Sequence, residues 1–199
     1  MTIQVLFVQG GGKGAHDEWD NKLVESLEHE LGGDYAVRYP QMPHEAEPKY
    51  ADWSAALQRQ LARVDDGAVL IGHSIGGTIL MRTLADNPPN QTFGGIFLVA
   101  APFVGEGGWP SENIVSLSDL GARLPEQTPI YLYHGSKDDT APFAHVDLYA
   151  KAIPDAIVRR LPGRDHQINN DMSEVAADIR RLPGAHLSST RRLPRGRAS

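Results

Sequence analysis

The chain has 199 residues, a formal net charge of −6 and no cysteine. This length is sufficient for one domain with a substantial core, and the lack of cysteine excludes disulfides, thiolate metal sites and a cysteine nucleophile. The negative charge argues against nucleic-acid binding, which requires clustered Lys and Arg. Residues 1–5 enter a strand pattern directly, with no basic leader or long apolar segment. We therefore expect a cytoplasmic protein that does not bind membranes.

Short apolar runs alternate with amphipathic patterns along the chain, as parallel strands joined by crossover helices do. Strands are predicted at residues 3–9, 35–39, 68–72, 94–100, 129–134 and 156–161. Helical spacing predicts helices at residues 19–31, 50–64, 75–86, 143–153 and 171–182. The predicted fold class is α/β: a three-layer αβα sandwich around a mainly parallel six-stranded sheet.

The pattern continues to residue 183, so residues 1–183 are predicted to form a single domain. The connection 104–127 is rich in Gly, Pro and Ser, and long connections in such folds are commonly lids or binding loops. Residues 184–199 follow the last predicted helix and carry four arginines between 191 and 197. This composition predicts a basic, disordered tail that the domain does not need for stability.

A serine stands in a strained-turn motif between a predicted strand and a predicted helix. The motif is Gly72-His73-Ser74-Ile75-Gly76, which follows the apolar run 68–71. Glycine is needed at both flanks because a side chain there would collide with the neighbouring strand and helix. The pattern predicts a nucleophile elbow that presents Ser74 Oγ at the carboxyl end of a strand.

A serine nucleophile needs a base and a carboxylate that orients the base. Asp138 directly follows the fifth predicted strand and is the first candidate for the carboxylate, with Asp139 as the alternative. His166 follows the sixth strand in a polar loop and is the candidate base. The chain order Ser74, Asp138, His166 is that of the serine, acid, histidine arrangement of α/β enzymes.

The developing oxyanion needs backbone donors. Gly10 to Gly14 follow the first strand, where backbone without side chains can approach a substrate, so Gly11 or Gly12 and the amide of Ile75 are the candidate donors. The same glycines partly fit a dinucleotide fingerprint. The second strand, however, lacks the acidic residue that would confirm nucleotide binding.

Other residues are weaker candidates for substrate contact or are assigned to packing. Candidate pocket residues are His16, in a loop that could border the site, and Phe103, Trp109 and Ile168, near strand ends or in the long connection. His73 is expected to pack beneath the elbow, and His29, His145 and His186 are expected to be solvated. No recurrent spacing of His, Asp and Glu predicts a metal site.

Taken together, the glycine loop at residues 9–12, the elbow, Asp138 with Pro142, and His166 resemble the α/β-hydrolase superfamily. The small size and missing cap resemble the serine hydrolases grouped with retinoblastoma-binding protein. This resemblance implies the strand order 2-1-3-4-5-6 and hydrolysis of carboxylic esters. Gln9 stands where a histidine is usual, and the pair Arg164-Asp165 stands where small residues are usual.

These features predict that Ser74, His166 and Asp138 cleave a small-molecule carboxylic ester through an acyl-enzyme, without a cofactor. A thioesterase or acyltransferase with the same triad is an alternative, as is a non-catalytic binding module. The sequence predicts neither the acyl group nor the oligomeric state.

Overall fold

The computed structural model describes residues 2–110 and 120–183. The predicted tail at 184–199 and residues 111–119 of the long connection lie outside the described residues. Within the described ranges, no helix is long and apolar enough to cross a membrane.

A six-stranded parallel sheet forms the centre of the structure. Its strands are β1 Ile3–Val8, β2 Tyr35–Arg38, β3 Ala68–His73, β4 Phe93–Val99, β5 Ile130–Gly135 and β6 Ile157–Leu161. The strand order is β2-β1-β3-β4-β5-β6, and every neighbouring pair is parallel. The predicted fold class and the implied strand order are both confirmed.

In the described part of the chain, five α-helices cover the sheet: α1 Asn21–Leu31, α2 Tyr50–Leu61, α3 Ser74–Asp86, α4 His145–Ala152 and α5 Ser173–Arg180. The first differs from its prediction because the segment Ala15–Asp20 forms a short π-helix that leads into α1. The predicted first residues of the fourth helix form a tight turn instead, in which the His145 N–H donates to the Pro142 carbonyl at 2.8 Å.

The core consists of two apolar clusters, one on each face of the sheet. One cluster contains Trp53 and Leu57 of α2 and residues of α3 and α4. The other contains Leu23 and Leu27 of α1 together with residues of α5. All of β3 is buried, which explains why its sequence is a continuous apolar run without the alternation of a half-exposed strand.

The strand order reverses direction at β1, because the chain continues from β1 to β2 on one side and returns to β3 on the other. In open α/β sheets a reversal of this kind opens a crevice at the carboxyl ends of the strands, where ligands bind. The loop after β1 and the elbow after β3 flank this crevice.

Candidate active site

The elbow has the strained geometry that its sequence predicts. Helix α3 begins at Ser74 directly after β3 ends at His73. Ser74 has φ +50°, a conformation that residues other than glycine rarely adopt. A Cβ added to Gly72 would lie 2.4 Å from the Cα of Gly77, and a Cβ added to Gly76 would lie 1.9 Å from the carbonyl oxygen of Gln9. Both flanking glycines are therefore sterically required.

Ser74, His166 and Asp138 form a continuous hydrogen-bonded chain. Ser74 Oγ lies 3.0 Å from His166 Nε2, and His166 Nδ1 lies 2.8 Å from Asp138 Oδ2. With the proton on Nδ1, His166 donates to the carboxylate and accepts from the serine hydroxyl. The structure thus brings together three side chains that the sequence assigned to different strand ends.

Asp138 is enclosed by donors, whereas Asp139 is not. The Asp138 side chain has no solvent exposure, and its Oδ1 accepts the N–H groups of Thr140 and Ala141 at 2.9 and 2.8 Å. His134 Nε2 lies 3.2 Å from Oδ2. Burial alone would raise the Asp138 pKa, but the hydrogen bonds from His134, His166 and Ala141 outweigh it and hold the pKa far below its ordinary value.

Asp139, the alternative carboxylate, is exposed. Its Oδ1 lies 3.4 Å from the hydroxyl of its neighbour Thr140. The geometry therefore favours Asp138 as the group that orients His166.

Of the two candidate oxyanion donors in the glycine loop, Gly11 and Gly12, the structure favours Gly11. The Gly12 N–H donates to the Glu45 carbonyl at 2.6 Å, so this candidate donor already has an acceptor within the protein. An added Cβ on Gly11 would lie 2.9 Å from Ile75 Cγ2, which places Gly11 beside the residue that follows Ser74. The Ile75 N–H is in the first turn of α3, where no carbonyl of the helix can accept it.

Gln9 and Glu45 fasten this loop to the segment after β2. Gln9 is fully buried, and its side chain accepts the Met42 N–H at 2.9 Å and donates to Glu45 Oε2 at 2.6 Å. The Glu45 carboxylate also accepts the N–H groups of Gly14 and His16, at 2.9 and 3.0 Å. Gln9, which stands where the resemblance leads one to expect histidine, is thus a structural bridge.

A family model described as serine hydrolase matches residues 5–172. The chain belongs to this serine hydrolase family. Comparison with the curated proteins finds no match. The fold is that of α/β hydrolases and the protein is a hydrolase, while the narrower resemblance to retinoblastoma-binding protein stays a prediction.

Solved structures share the fold of this serine hydrolase at low sequence identity. The esterase RhEst1 from Rhodococcus sp. has a TM-score of 0.70 and 16% identity over 92% of each chain. Est1E from Butyrivibrio proteoclasticus, solved with ferulic acid bound, has a TM-score of 0.63 and 15% identity over 90% of this chain and 87% of its own. The esterase domain of a Rhodothermus marinus protein has a TM-score of 0.61 and 19% identity, with coverages of 90% and 87%.

Two of the predicted pocket residues lie in the core. Ile168 is fully buried among residues of α1 and α5, and the Phe103 ring packs edge-on against Tyr149 at 5.1 Å between centroids. Strand-end position alone does not reveal which way a side chain points, and the contact of these two residues with substrate stays a prediction. Trp109 is half-buried and its ring meets the His145 ring edge-on at 5.8 Å, so its contact with substrate stays a prediction.

Two further histidines, His16 and His145, make contacts within the protein. His16 lies in the π-helix, and its ring stacks on Tyr39 at 4.1 Å while both ring nitrogens have oxygen partners. It is therefore part of the packing against Tyr39 and offers no free ring nitrogen to a substrate. His145 is buried, with Nδ1 accepting the Phe103 N–H at 3.0 Å; a solvated helix histidine was the wrong expectation.

A cleft of about 600 Å³ lies beside the glycine loop, on the side of α2. Its wall includes Lys13, Arg59 and the segment at residues 41–46, but neither Ser74 nor His166. Among residues 2–110 and 120–183, no group of three or more His, Asp or Glu side chains is arranged to hold a metal ion.

Sequence reasoning missed one polar residue beneath the elbow. Asp20 is buried at the end of the π-helix, directly before α1. Its helical spacing places it on the same face as the buried Leu23, Leu27 and Leu31 of α1. A carboxylate on an apolar stripe is the signal that could have found it, because a buried charge requires a partner. Its partner is His73, which packs beneath the elbow as predicted.

Proposed function

We propose that this serine hydrolase cleaves carboxylic esters, with Ser74 as nucleophile, His166 as general base and Asp138 as the carboxylate that orients the base. The observation that carries the proposal is the hydrogen-bond chain from Ser74 Oγ through His166 to Asp138, at 3.0 and 2.8 Å. The esterases among the structural neighbours favour an ester as the substrate class.

In the first half of the reaction, Ser74 Oγ attacks the ester carbonyl while His166 Nε2 takes the hydroxyl proton. The carbonyl oxygen becomes an oxyanion that accepts the N–H groups of Gly11 and Ile75. The tetrahedral intermediate then expels the alkoxide, which receives the proton from His166 and leaves as the alcohol. Ser74 is left acylated.

In the second half, water attacks the acyl group and gives its proton to His166 Nε2. The second tetrahedral intermediate collapses, Ser74 Oγ recovers the proton, and the carboxylic acid is released. Asp138 stays ionised throughout because its pKa is held low, so its negative charge stabilises the imidazolium that forms twice in each cycle.

The test is hydrolysis of a panel of p-nitrophenyl esters of increasing acyl length, with acyl thioesters of matched length alongside. The wild-type chain should turn over at least one ester, and Ser74→Ala and His166→Ala should each abolish this turnover to a similar extent, because residues of a triad act as a unit. Circular dichroism checks that both variants are folded. If only thioesters are hydrolysed, esters are not the substrate class and the protein is a thioesterase. Ester turnover that survives Ser74→Ala would contradict the proposed nucleophile.

A further inference from the structure

A second carboxylate and imidazole pair lies directly beneath the candidate triad. Asp20 Oδ2 lies 2.9 Å from His73 Nδ1, and the two side chains are 1% and 2% exposed. His73 Nε2 lies 3.1 Å from the carbonyl oxygen of His166. The rings of His73 and His166 are 5.0 Å apart between centroids. The mechanism above uses neither Asp20 nor His73.

Asp20 and His73 are connected to the oxyanion loop, the base and the nucleophile, in each case through a residue that is adjacent in sequence to the candidate site residue. Asp20 Oδ2 accepts the N–H of Gly10, the neighbour of Gly11, at 2.6 Å. Asp20 Oδ1 accepts from the side chain of Gln167, the neighbour of His166, at 3.2 Å. His73 itself precedes Ser74. One buried carboxylate therefore connects the glycine loop, the elbow and the loop of the base.

The hydrogen-bond partners define the protonation state of the pair. Both ring nitrogens of His73 face oxygen atoms, and the carbonyl of His166 can only accept. A neutral imidazole has one N–H and could satisfy only one of these contacts. Asp20 also accepts from Gly10 and Gln167, and donors of this kind favour the ionised carboxylate. The arrangement fits a buried pair of Asp20 carboxylate and His73 imidazolium.

We propose that Asp20 and His73 are positioning residues of the candidate site, an ion pair that fixes the nucleophile, the oxyanion donor and the base relative to one another. The proposal rests on the proposed ester hydrolysis. Catalysis depends on this alignment because a displacement of about 1 Å in a reacting group can cost about a hundredfold in rate.

Asp20→Asn removes the charge at nearly constant volume, and the same π-helix supplies a matched control. His16 Nδ1 lies 2.6 Å from Asp17 Oδ1, but the Asp17 side chain is 75% exposed, whereas that of Asp20 is buried. For a p-nitrophenyl ester that the wild type hydrolyses, Asp20→Asn should lower kcat about 10- to 100-fold with little change in KM. Asp17→Asn should stay within about twofold of the wild type.

The pH profile separates positioning from a general loss of structure. The charged or titratable groups that face His73 are Asp20, His166 and Asp138. Without the Asp20 charge, His73 loses its proton at lower pH, so the alkaline limb of kcat/KM should move to lower pH in Asp20→Asn and stay in place in Asp17→Asn. An Asp20→Asn variant that is folded and keeps the wild-type kcat and pH profile would overturn the proposal.

Nitrogen-15 NMR of the histidine rings in the wild-type chain tests the ion pair without a variant that could misfold. At pH 7 both ring nitrogens of His73 should carry protons. A neutral His73 ring in a chain that hydrolyses esters would overturn the ion pair and leave the proposed function intact. A folded wild-type chain with a protonated His73 and no ester turnover would instead overturn the proposed function, and catalytic positioning with it.

Discussion

Ser74 Oγ and His166 Nε2 lie 3.0 Å apart although 92 residues separate them along the chain. The distance is within the range for direct proton transfer between a nucleophile and its base. It results from two features at the carboxyl ends of the strands: the elbow directly after β3, and the loop after β6, in which the Asp138 carboxylate holds the His166 ring.

Asp138→Asn should reduce kcat/KM for an activated ester on the order of 10⁴-fold, because an amide neither holds the required tautomer of His166 nor stabilises its imidazolium. Asp139→Asn changes the adjacent, exposed carboxylate in the same way and should stay within about twofold of the wild type. Steady-state kinetics of the two variants decide between the carboxylates. A larger loss in Asp139→Asn would contradict the geometry described for Asp138.

Glu45→Gln should loosen the glycine loop. The Glu45 carboxylate accepts three N–H groups, from Gln9, Gly14 and His16, and an amide has only one oxygen with which to accept them. We expect kcat and kcat/KM to fall together by about tenfold or more, as when stabilisation of the transition state is lost. The exposed neighbour Glu47, changed to Gln, is the control. A higher KM with unchanged kcat would show that Glu45 affects substrate binding only.

A short left-handed turn follows the base. Ile168, Asn169 and Asn170 have φ values of +43°, +57° and +55°, and Asp165 and Asn169 exchange backbone-to-side-chain hydrogen bonds at 3.1 and 2.7 Å. Asn169→Ala should lower the free energy of unfolding by about 1–2 kcal/mol, since alanine disfavours this conformation and cannot accept from Asp165. Asn170→Gly, the control, should change the free energy of unfolding by less than about 0.5 kcal/mol. Urea unfolding of both variants measures these differences. Equal effects of the two substitutions would contradict this role of Asn169.

The Asp20 and His73 pair should stabilise the fold within a defined pH window. Burial opposes both charges, but the mutual attraction lowers the pKa of Asp20 from 3.8 and raises the pKa of His73 from 6.5. The contribution of Asp20 to the free energy of unfolding is complete above pH 3.8 and is lost as the pH falls below this value towards the lower pKa of the folded chain. That of His73 is complete below pH 6.5 and is lost as the pH rises through its higher folded pKa.

The difference in unfolding free energy between the wild type and Asp20→Asn should therefore be largest between about pH 4 and 6.5. It should shrink towards pH 9. Urea unfolding of the wild type and of Asp20→Asn at each pH measures this difference. Subtracting the two unfolding free energies removes the contribution of titratable groups that both chains share. A difference that stays constant from pH 5 to pH 9 would show that Asp20 does not raise the pKa of His73 in the folded chain.

The sheet, the elbow and the candidate triad were predictable because their signals are local. Ser74 stands between an apolar run and a helical pattern, and Gly72 and Gly76 flank it at the spacing of a nucleophile elbow. Asp138 and His166 each follow a strand, and the parallel topology brings strand ends to one edge of the sheet.

The remaining features depend on side-chain direction and on partners distant in sequence. Asp20 and His73 are 53 residues apart, and no local pattern pairs them. The Gly12 N–H is taken by Glu45, a residue beyond the second strand. Ile168 has a left-handed backbone that β-branched residues rarely adopt, and its side chain lies in the core, which its strand-end position did not indicate.

The most direct test of the central claim is reaction of the wild-type chain with a fluorophosphonate, followed by peptide mapping. Attack by Ser74 Oγ on phosphorus expels fluoride and needs His166 as base, and the phosphoryl oxygen occupies the position of the oxyanion. A single adduct on Ser74 is expected, absent in Ser74→Ala and nearly absent in His166→Ala. A folded wild-type chain that remains unlabelled, or an adduct on another serine, would contradict the assignment of Ser74 as an activated nucleophile.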